Sequence, residues 1–371
     1  MNRREVLTRL SACAALVTSA RRAWAGNAVA SRAAELYARA IVFDANLSPP
    51  LQVTFPFPAQ MLDLVRQSGV TAVKTSLGGF NDGFAETVEA IAALQRVFEN
   101  YPDVYVQVRA HADFAAAKRQ KRLGVILSFE SVVMLEDKLE RIELFRGLGV
   151  RVMQLSYNNA SQFGTGVLGD PRNGLTDLGR KAVAAMNSLG VAIDMSHAND
   201  ATSFGILQAS SQPALITHGG CAAIYPHPRN KSDALLRAVS QKGGVVGIYD
   251  LPYLAPSPKQ PTLEDYMAHM THALDVCGED HVGIGSDSDL AAWDTSAEAM
   301  ASFQKDEEER RKAGVAAPGE DGRPLYVVGL NTPRRSEVIA DALLKRGYKS
   351  RSVEKVLGSN FTAALGRIWQ D

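Results

Sequence analysis

Nine short apolar runs, spaced by amphipathic segments along most of the chain, restrict this sequence more than any other feature. They are Ile41–Leu47, Thr71–Leu77, Val104–Ala110, Gly124–Glu130, Arg151–Tyr157, Val191–His197, Ala214–His218, Val245–Asp250 and His281–Asp287. Runs of this length read as buried strands, and the helical patterns between them (Glu86–Glu99, Leu135–Leu148, Asp177–Leu189 and Leu263–Val276) make successive βα units with parallel strands. Leu148-Gly149 and Leu189-Gly190 each stop a helix with glycine just before a strand. Nine strands are one too many for a closed eight-stranded barrel. Val104–Ala110 is the one to set aside, because only about 13 residues separate it from the next run, little room for a crossover helix and its loops. What remains is an α/β chain folded as a (β/α)8, or TIM, barrel.

One such barrel accommodates most of the 371 residues, because α/β barrels often exceed about 250 residues as single domains. Apolar residues make up 46% of the chain, enough for a large core. No second domain or internal repeat is evident. Forty basic side chains balance forty acidic ones, so no basic surplus points to nucleic acid or an anionic membrane surface. The stretch from Glu298 to Arg323 is charged and poor in apolar spacing, and reads as a solvated helix and loop. Leu330–Lys345 and Val353–Leu365 follow as two helices capping the barrel.

Residues 1–25 stand apart from the domain at 26–371. Arg3-Arg4 precedes a weakly apolar stretch, Leu10 to Ala20, and Ala23-Trp24-Ala25 offers small residues at the positions a signal peptidase reads. This resembles a twin-arginine export signal and implies a periplasmic product. The apolar core is too short to span a bilayer, and no later run is long enough. Removing five arginines and one glutamate takes the net charge from 0 to about −4. Cys221 and Cys277 stay behind; the barrel reading puts them at opposite ends of strands, so no disulfide is expected.

In a (β/α)8 barrel the chemistry sits where strands end. Strand three ends in Glu130, strand five in His197, strand six in His218 and strand eight in Asp287. Each polar residue closes an otherwise apolar run, and the topology brings all four to one mouth. Two His and one Glu leave a fourth position open for water, as catalytic zinc sites do. A carboxylate such as Asp287 could take the proton from that water and pass it to a leaving amine.

At these residues a resemblance becomes specific. Gly190-Val191-Ala192-Ile193-Asp194-Met195-Ser196-His197, Ile216-Thr217-His218, His227-Pro228-Arg229-Asn230 and Asp280-His281-Val282-Gly283-Ile284-Gly285-Ser286-Asp287 resemble the membrane (renal) dipeptidase family of zinc metallopeptidases. Gly174-Leu175-Thr176 and Lys355-Val356-Leu357-Gly358-Ser359-Asn360-Phe361 fit as well. The resemblance runs from about residue 40 to the C-terminus. It implies that Glu130 matches the carboxylate bridging two zinc ions, that His197 and His218 match the ligands of the second zinc, and that Asp287 faces substrate and attacking water. It also implies that Arg229 binds the substrate carboxylate, a role its bidentate fork suits.

The chain departs from the family in two places. The family's first strand ends Asp-Gly-His-Asn-Asp, whose His and last Asp bind the first zinc; here the stretch is Asp44-Ala45-Asn46-Leu47-Ser48. Strand alternation places Asp44, Asn46 and Ser48 on one side, facing the barrel interior. Amide and hydroxyl oxygens are poor zinc ligands, so one zinc is expected and the first site is degenerate at Asn46 and Ser48. On the sequence alone, Asn46→His with Ser48→Asp restores it. In strand four Tyr157 replaces a histidine that stabilises the tetrahedral intermediate, and its hydroxyl can still donate to an oxyanion. Elsewhere His227 reads as a support for Arg229, His281 as a structural residue at the opposite barrel face, and His269 and His272 as a solvated helix face. Ser76-Leu77-Gly78-Gly79-Phe80 reads as an active-site loop.

The leading expectation is therefore a periplasmic zinc hydrolase acting on a dipeptide or similar small amide, with no nucleic-acid partner and with a homodimer compatible. Two alternatives stay open: a tailoring step on an exported peptide metabolite, or a non-catalytic barrel gripping a peptide or amino acid through Arg229 and Asp287. The export reading has a direct test. Changing Arg3 and Arg4 to lysine is expected to leave uncleaved precursor in the cytoplasm, and normal periplasmic accumulation on fractionation would refute it.

Overall fold

Eight of the apolar runs form the strands of a parallel barrel: β1 Phe43–Asp44, β2 Ala72–Ser76, β3 Leu123–Phe129, β4 Val150–Gln154, β5 Ala192–Asp194, β6 Ile216–Cys221, β7 Val246–Ile248 and β8 Val282–Ile284. The computed structural model describes residues 32–51, 54–78 and 82–369. The stretch read as an export signal, and Gly79 and Phe80 of the glycine-rich segment, lie outside the described residues. Neighbours in sequence are neighbours in the sheet, and Ile284 of β8 returns to pair with Asp44 of β1. The seam between β5 and β6 closes through one bridge, Asp194 opposite Leu215. Two 2.8 Å hydrogen bonds flank it, from Met195 N–H to the Leu215 carbonyl and from Leu215 N–H to the Ile193 carbonyl.

The ninth run lies outside the ring, yet it is a strand. Tyr105–Gln107 pairs in parallel with the first half of β3, from Leu123 to Val125, while β4 takes the second half, from Leu127 to Phe129. The gap judged too short for a crossover does hold a nine-residue helix, Ala112–Gln120. This excursion carries Val108 and Phe114 beneath the barrel, where they join the inward-facing Phe43, Ala72, Ile126 and Val152.

The final helix completes that floor. Phe361, Leu365, Ile368 and Trp369 pack into the same cluster, with the Trp369 and Phe114 rings stacked at 5.9 Å. The helix expected at Val353–Leu365 is in fact two, Ser350–Glu354 and Asn360–Trp369, joined by an irregular turn at Lys355–Ser359. Gly358 in that turn passes so close to β1 that a Cβ would lie 2.5 Å from the Ile41 carbonyl oxygen, which lets the last helix turn under the barrel.

Above the floor the interior becomes polar. Lys74, Ser128, Gln154, Asp194 and Thr217 are all buried, and strand alternation stacks them over the apolar layer. The outer helices obey the usual 3.6-residue period: Ala182, Val183 and Met186 form the buried stripe of Asp177–Leu189. Thr176 caps that helix by accepting from Gly179 N–H, and Gly190 ends it at φ 63°. Removing the floor should be costly. Phe361→Ala is expected to lower unfolding stability by about 3–5 kcal/mol, the range for truncating a buried phenylalanine, read from denaturant midpoints. A loss below about 1 kcal/mol would contradict the packing described.

Candidate metal centre and substrate cavity

Glu130 follows β3, His197 lies three residues past β5, His218 is within β6 and Asp287 lies three residues past β8. Ligand atoms of Glu130, His197 and His218 all fall within 4.8 Å of one another. His197 Nε2 is 3.1 Å from His218 Nε2 and 3.6 Å from Glu130 Oε2. The three residues read from the strand ends thus come together at one mouth of the barrel.

What holds the rings decides what they can bind. Asn158 donates its amide to the Val315 carbonyl at 2.8 Å, which leaves its Oδ1 to accept from His197 Nδ1 at 2.7 Å. Thr217 donates its hydroxyl to Asp194 Oδ2 at 2.6 Å, so it accepts from His218 Nδ1 at 2.9 Å. With hydrogen on both Nδ1 atoms, the two Nε2 lone pairs face each other across 3.1 Å. Burial pushes both imidazoles well below their ordinary pKa, so a proton does not relieve that opposition. A divalent cation does, and neutral imidazoles with an ionised carboxylate are the donor set it requires. Burial would raise the Glu130 carboxyl, but the cationic side chains facing it, Lys74 among them, and the Asn46 amide hold it below the usual range.

The first strand departs from the expectation. Phe43 and Ala45 face the barrel interior, so Asp44 between them points outward, where it accepts from Ser286 N–H at 2.9 Å and Ser286 Oγ at 2.5 Å. A bend at Ala45-Asn46 ends β1 and swings Asn46 back over the mouth. Asn46 Nδ2 donates to Glu130 Oε1 at 2.9 Å and to Asp287 Oδ1 at 2.7 Å. Ser48 is exposed and pairs with Asp289 in a separate two-residue ladder.

Asp287 adopts a left-handed backbone at φ 57°, rare for a non-glycine residue and common at functional sites. Burial first, and then Glu130, push its carboxyl up to about 7. Arg229 Nη2 lies 4.0 Å away. That guanidinium is buried, and its Nε and Nη2 have no hydrogen-bond partner among the described residues. His227 accepts the Arg229 backbone N–H at 3.2 Å on Nδ1 and stacks on Tyr253 at 4.4 Å. Tyr157 stacks on His197 at 4.2 Å, and its hydroxyl accepts from Arg310 at 3.1 Å.

Arg310 belongs to a part of the site that sequence reasoning missed. The charged segment is not merely solvated: helix Ala297–Lys312 forms one wall of a cavity of about 650 Å³ that opens over Glu130, His197, Arg229 and Asp287. Ala299, Phe303 and Arg310 face into it, and Trp293 lies against Phe303 at 4.9 Å. Glu320 grips Arg310 through two hydrogen bonds of 2.8 and 3.0 Å. The available signal was Ala299 and Phe303, small and apolar residues four apart in the uncharged turns that precede the charged run from Lys305 to Lys312. Lys74, Asn158 and Asp194 were also missed as parts of the site. His269 needs correction too. It is fully buried, accepting Cys221 N–H at 2.9 Å on Nδ1, while His272 bonds Asp233 at 2.7 Å; the helix face they share meets protein. His281 bonds the Gly244 carbonyl at 2.8 Å, at the opposite end of the barrel. Cys221 and Cys277 are buried and free.

Comparison with known proteins agrees with this arrangement. A family model described as membrane dipeptidase (peptidase family M19) matches residues 30–300. The chain belongs to the membrane dipeptidase family. Within it, dipeptidase tcpJ of Claviceps purpurea is 26% identical over 286 residues, 76% of this chain and 60% of that protein. The chain thus aligns with about three-fifths of that relative's length. An uncharacterized protein in the pqqA 5′ region of Klebsiella pneumoniae is 28% identical, over 70% of this chain and 87% of the other. Among solved structures, an amidohydrolase from Pseudomonas aeruginosa superimposes with a TM-score of 0.80 at 29% identity, covering 91% of this chain and 99% of its own.

If the three ligands act as one set, His197→Ala or His218→Ala is expected to remove nearly all bound metal, since two remaining ligands hold zinc poorly. Elemental analysis reads the loss, and circular dichroism checks that the barrel persists. Full metal occupancy in either variant would show that the ligands lie elsewhere.

Proposed function

We propose that the mature chain is an exported hydrolase of a dipeptide or similar small amide, using one zinc ion held by Glu130, His197 and His218. The observation that carries this reading is the pair of opposed Nε2 lone pairs beside Glu130, with the buried Arg229 guanidinium, two of its nitrogens without a hydrogen-bond partner among the described residues, in the same cavity. Zinc, when bound, would acidify a water and polarise the scissile carbonyl.

The chain's own residues supply the remainder. Arg229 is buried with two nitrogens unsatisfied, a strong preference for a ligand carboxylate. Asp287, lifted to about 7 by burial and by Glu130, is poised near neutrality, where a group can both accept a proton and return it. It takes the proton of the attacking water and delivers it to the leaving amine. Tyr157, polarised by Arg310, offers its hydroxyl to the oxyanion. The wall formed by Ala297–Lys312 limits the substrate to something small and sheds water from the reacting bond. The twin-arginine-like N-terminus supports periplasmic release of the mature protein.

Purified zinc-loaded protein offered L,L- and L,D-dipeptides, with C-terminally amidated counterparts, tests the reading. Free-carboxylate dipeptides should be cleaved and the amides spared. Arg229→Met should raise KM about 10- to 100-fold with a smaller change in kcat, matching the loss of a charged hydrogen-bond pair. Binding of dipeptides without turnover would favour the non-catalytic alternative.

A further inference from the structure

The geometry points to Lys74 and Asn46 together standing where a first metal ion would otherwise sit, which makes the centre mononuclear by construction. This rests on the proposed zinc site and concerns how many ions that site admits.

Lys74 lies on β2 and is 1% exposed. Its ammonium donates to Ser128 Oγ at 3.2 Å, 3.9 Å from Glu130 Oε1 and 4.0 Å from Asp194 Oδ2. A buried ammonium is costly unless carboxylates compensate it, and both of its partners sit inside the barrel mouth. The two oxygens of Glu130 are consequently divided. Oε2 faces His197 at 3.6 Å, the side of the proposed ion. Oε1 is met by Asn46 Nδ2 at 2.9 Å and by the Lys74 ammonium.

A carboxylate that bridges two cations places one on each oxygen. Here the second oxygen already has its positive charge, on a side chain rather than an ion. The Asn46 amide also spans from Glu130 to Asp287, with donors 2.9 and 2.7 Å from the two carboxylates. Flanked by acceptors on both sides, that group must be the NH₂. It links the two carboxylates as a shared cation would, without adding charge. A second divalent ion at Oε1 would displace these hydrogen bonds and stand against the lysine's charge in a site with little water to screen it. Lys74 is thus a positioning residue: its charge beside Oε1 orients Glu130 for one ion on Oε2 and excludes another.

The consequence separates this account from a simple loss of ligands. Restoring those ligands with Asn46→His and Ser48→Asp should not suffice, because the ammonium remains. Wild type, the Asn46→His/Ser48→Asp variant, Lys74→Gln and the triple variant would be dialysed against zinc. Their metal content would then be measured by elemental analysis and their affinities by calorimetry. Wild type and the double variant should hold one ion per chain, and the triple variant two. Two ions in the double variant would overturn the role of Lys74 while leaving the zinc site intact. A folded triple variant with one ion would overturn it as well. No metal in wild type would overturn both this inference and the proposed function. Should Lys74→Gln misfold, wild type loaded with Co²⁺ still decides: one binding event and a spectrum of isolated ions are expected, and a second tight event with coupled spins would overturn the proposal.

Discussion

The carboxylate of Asp194 sits at the closing seam of the barrel, and the site is organised around it. Its Oδ1 accepts from Ser196 N–H at 3.0 Å, Ser196 Oγ at 2.5 Å and Thr217 N–H at 3.1 Å. Its Oδ2 accepts from Gln154 at 3.0 Å and Thr217 Oγ1 at 2.6 Å, and faces Lys74 at 4.0 Å. The one β-bridge that joins β5 to β6 involves this same residue. A single buried carboxylate therefore ties four strands together, fixes the loop leading to His197 and, by taking the one hydroxyl hydrogen of Thr217, leaves that oxygen to accept from His218 Nδ1. Buried carboxylates are stable only when so fully satisfied, and the cost of leaving any donor out fixes the ligand geometry.

Beneath this polar layer the barrel interior is apolar, sealed below by the stacked rings of Phe114 and Trp369. The separation has an electrostatic purpose. Low-polarity packing below means that charges at the mouth are compensated by one another and by the few hydrogen bonds they share. Burial thus lowers the two imidazoles and raises Asp287, while Lys74 and Asn46 help keep Glu130 ionised.

Much of this was legible in the sequence, for physical reasons. Parallel strands buried on both sides read as continuous apolar runs, so all eight barrel strands and the residues ending them could be placed. The short gap after Val104–Ala110 led to its exclusion, yet a nine-residue helix fits there and lets Tyr105–Gln107 pair beside the lower end of β3. Alternation failed at Asp44 because a bend, not a strand, carries the chain to Asn46. The helix Ala297–Lys312 was hidden because its cavity face mixes Ala299 and Phe303 with Asp306, Glu307 and Arg310, so it carries no apolar stripe. Lys74 was overlooked because a lone lysine in an apolar run gives no sign of which carboxylates the fold will bring beside it. His269 was misplaced because spacing along a helix does not say what packs on it.

The hydrogen bond from Asn158 to the Val315 carbonyl joins the loop after helix Ala297–Lys312 to the amide that orients His197. The segment that walls the cavity and the ring that faces Glu130 therefore lie on one hydrogen-bonded chain. A substitution that displaced the Val315 carbonyl would free the Asn158 amide, and with it the acceptor that keeps hydrogen on His197 Nδ1.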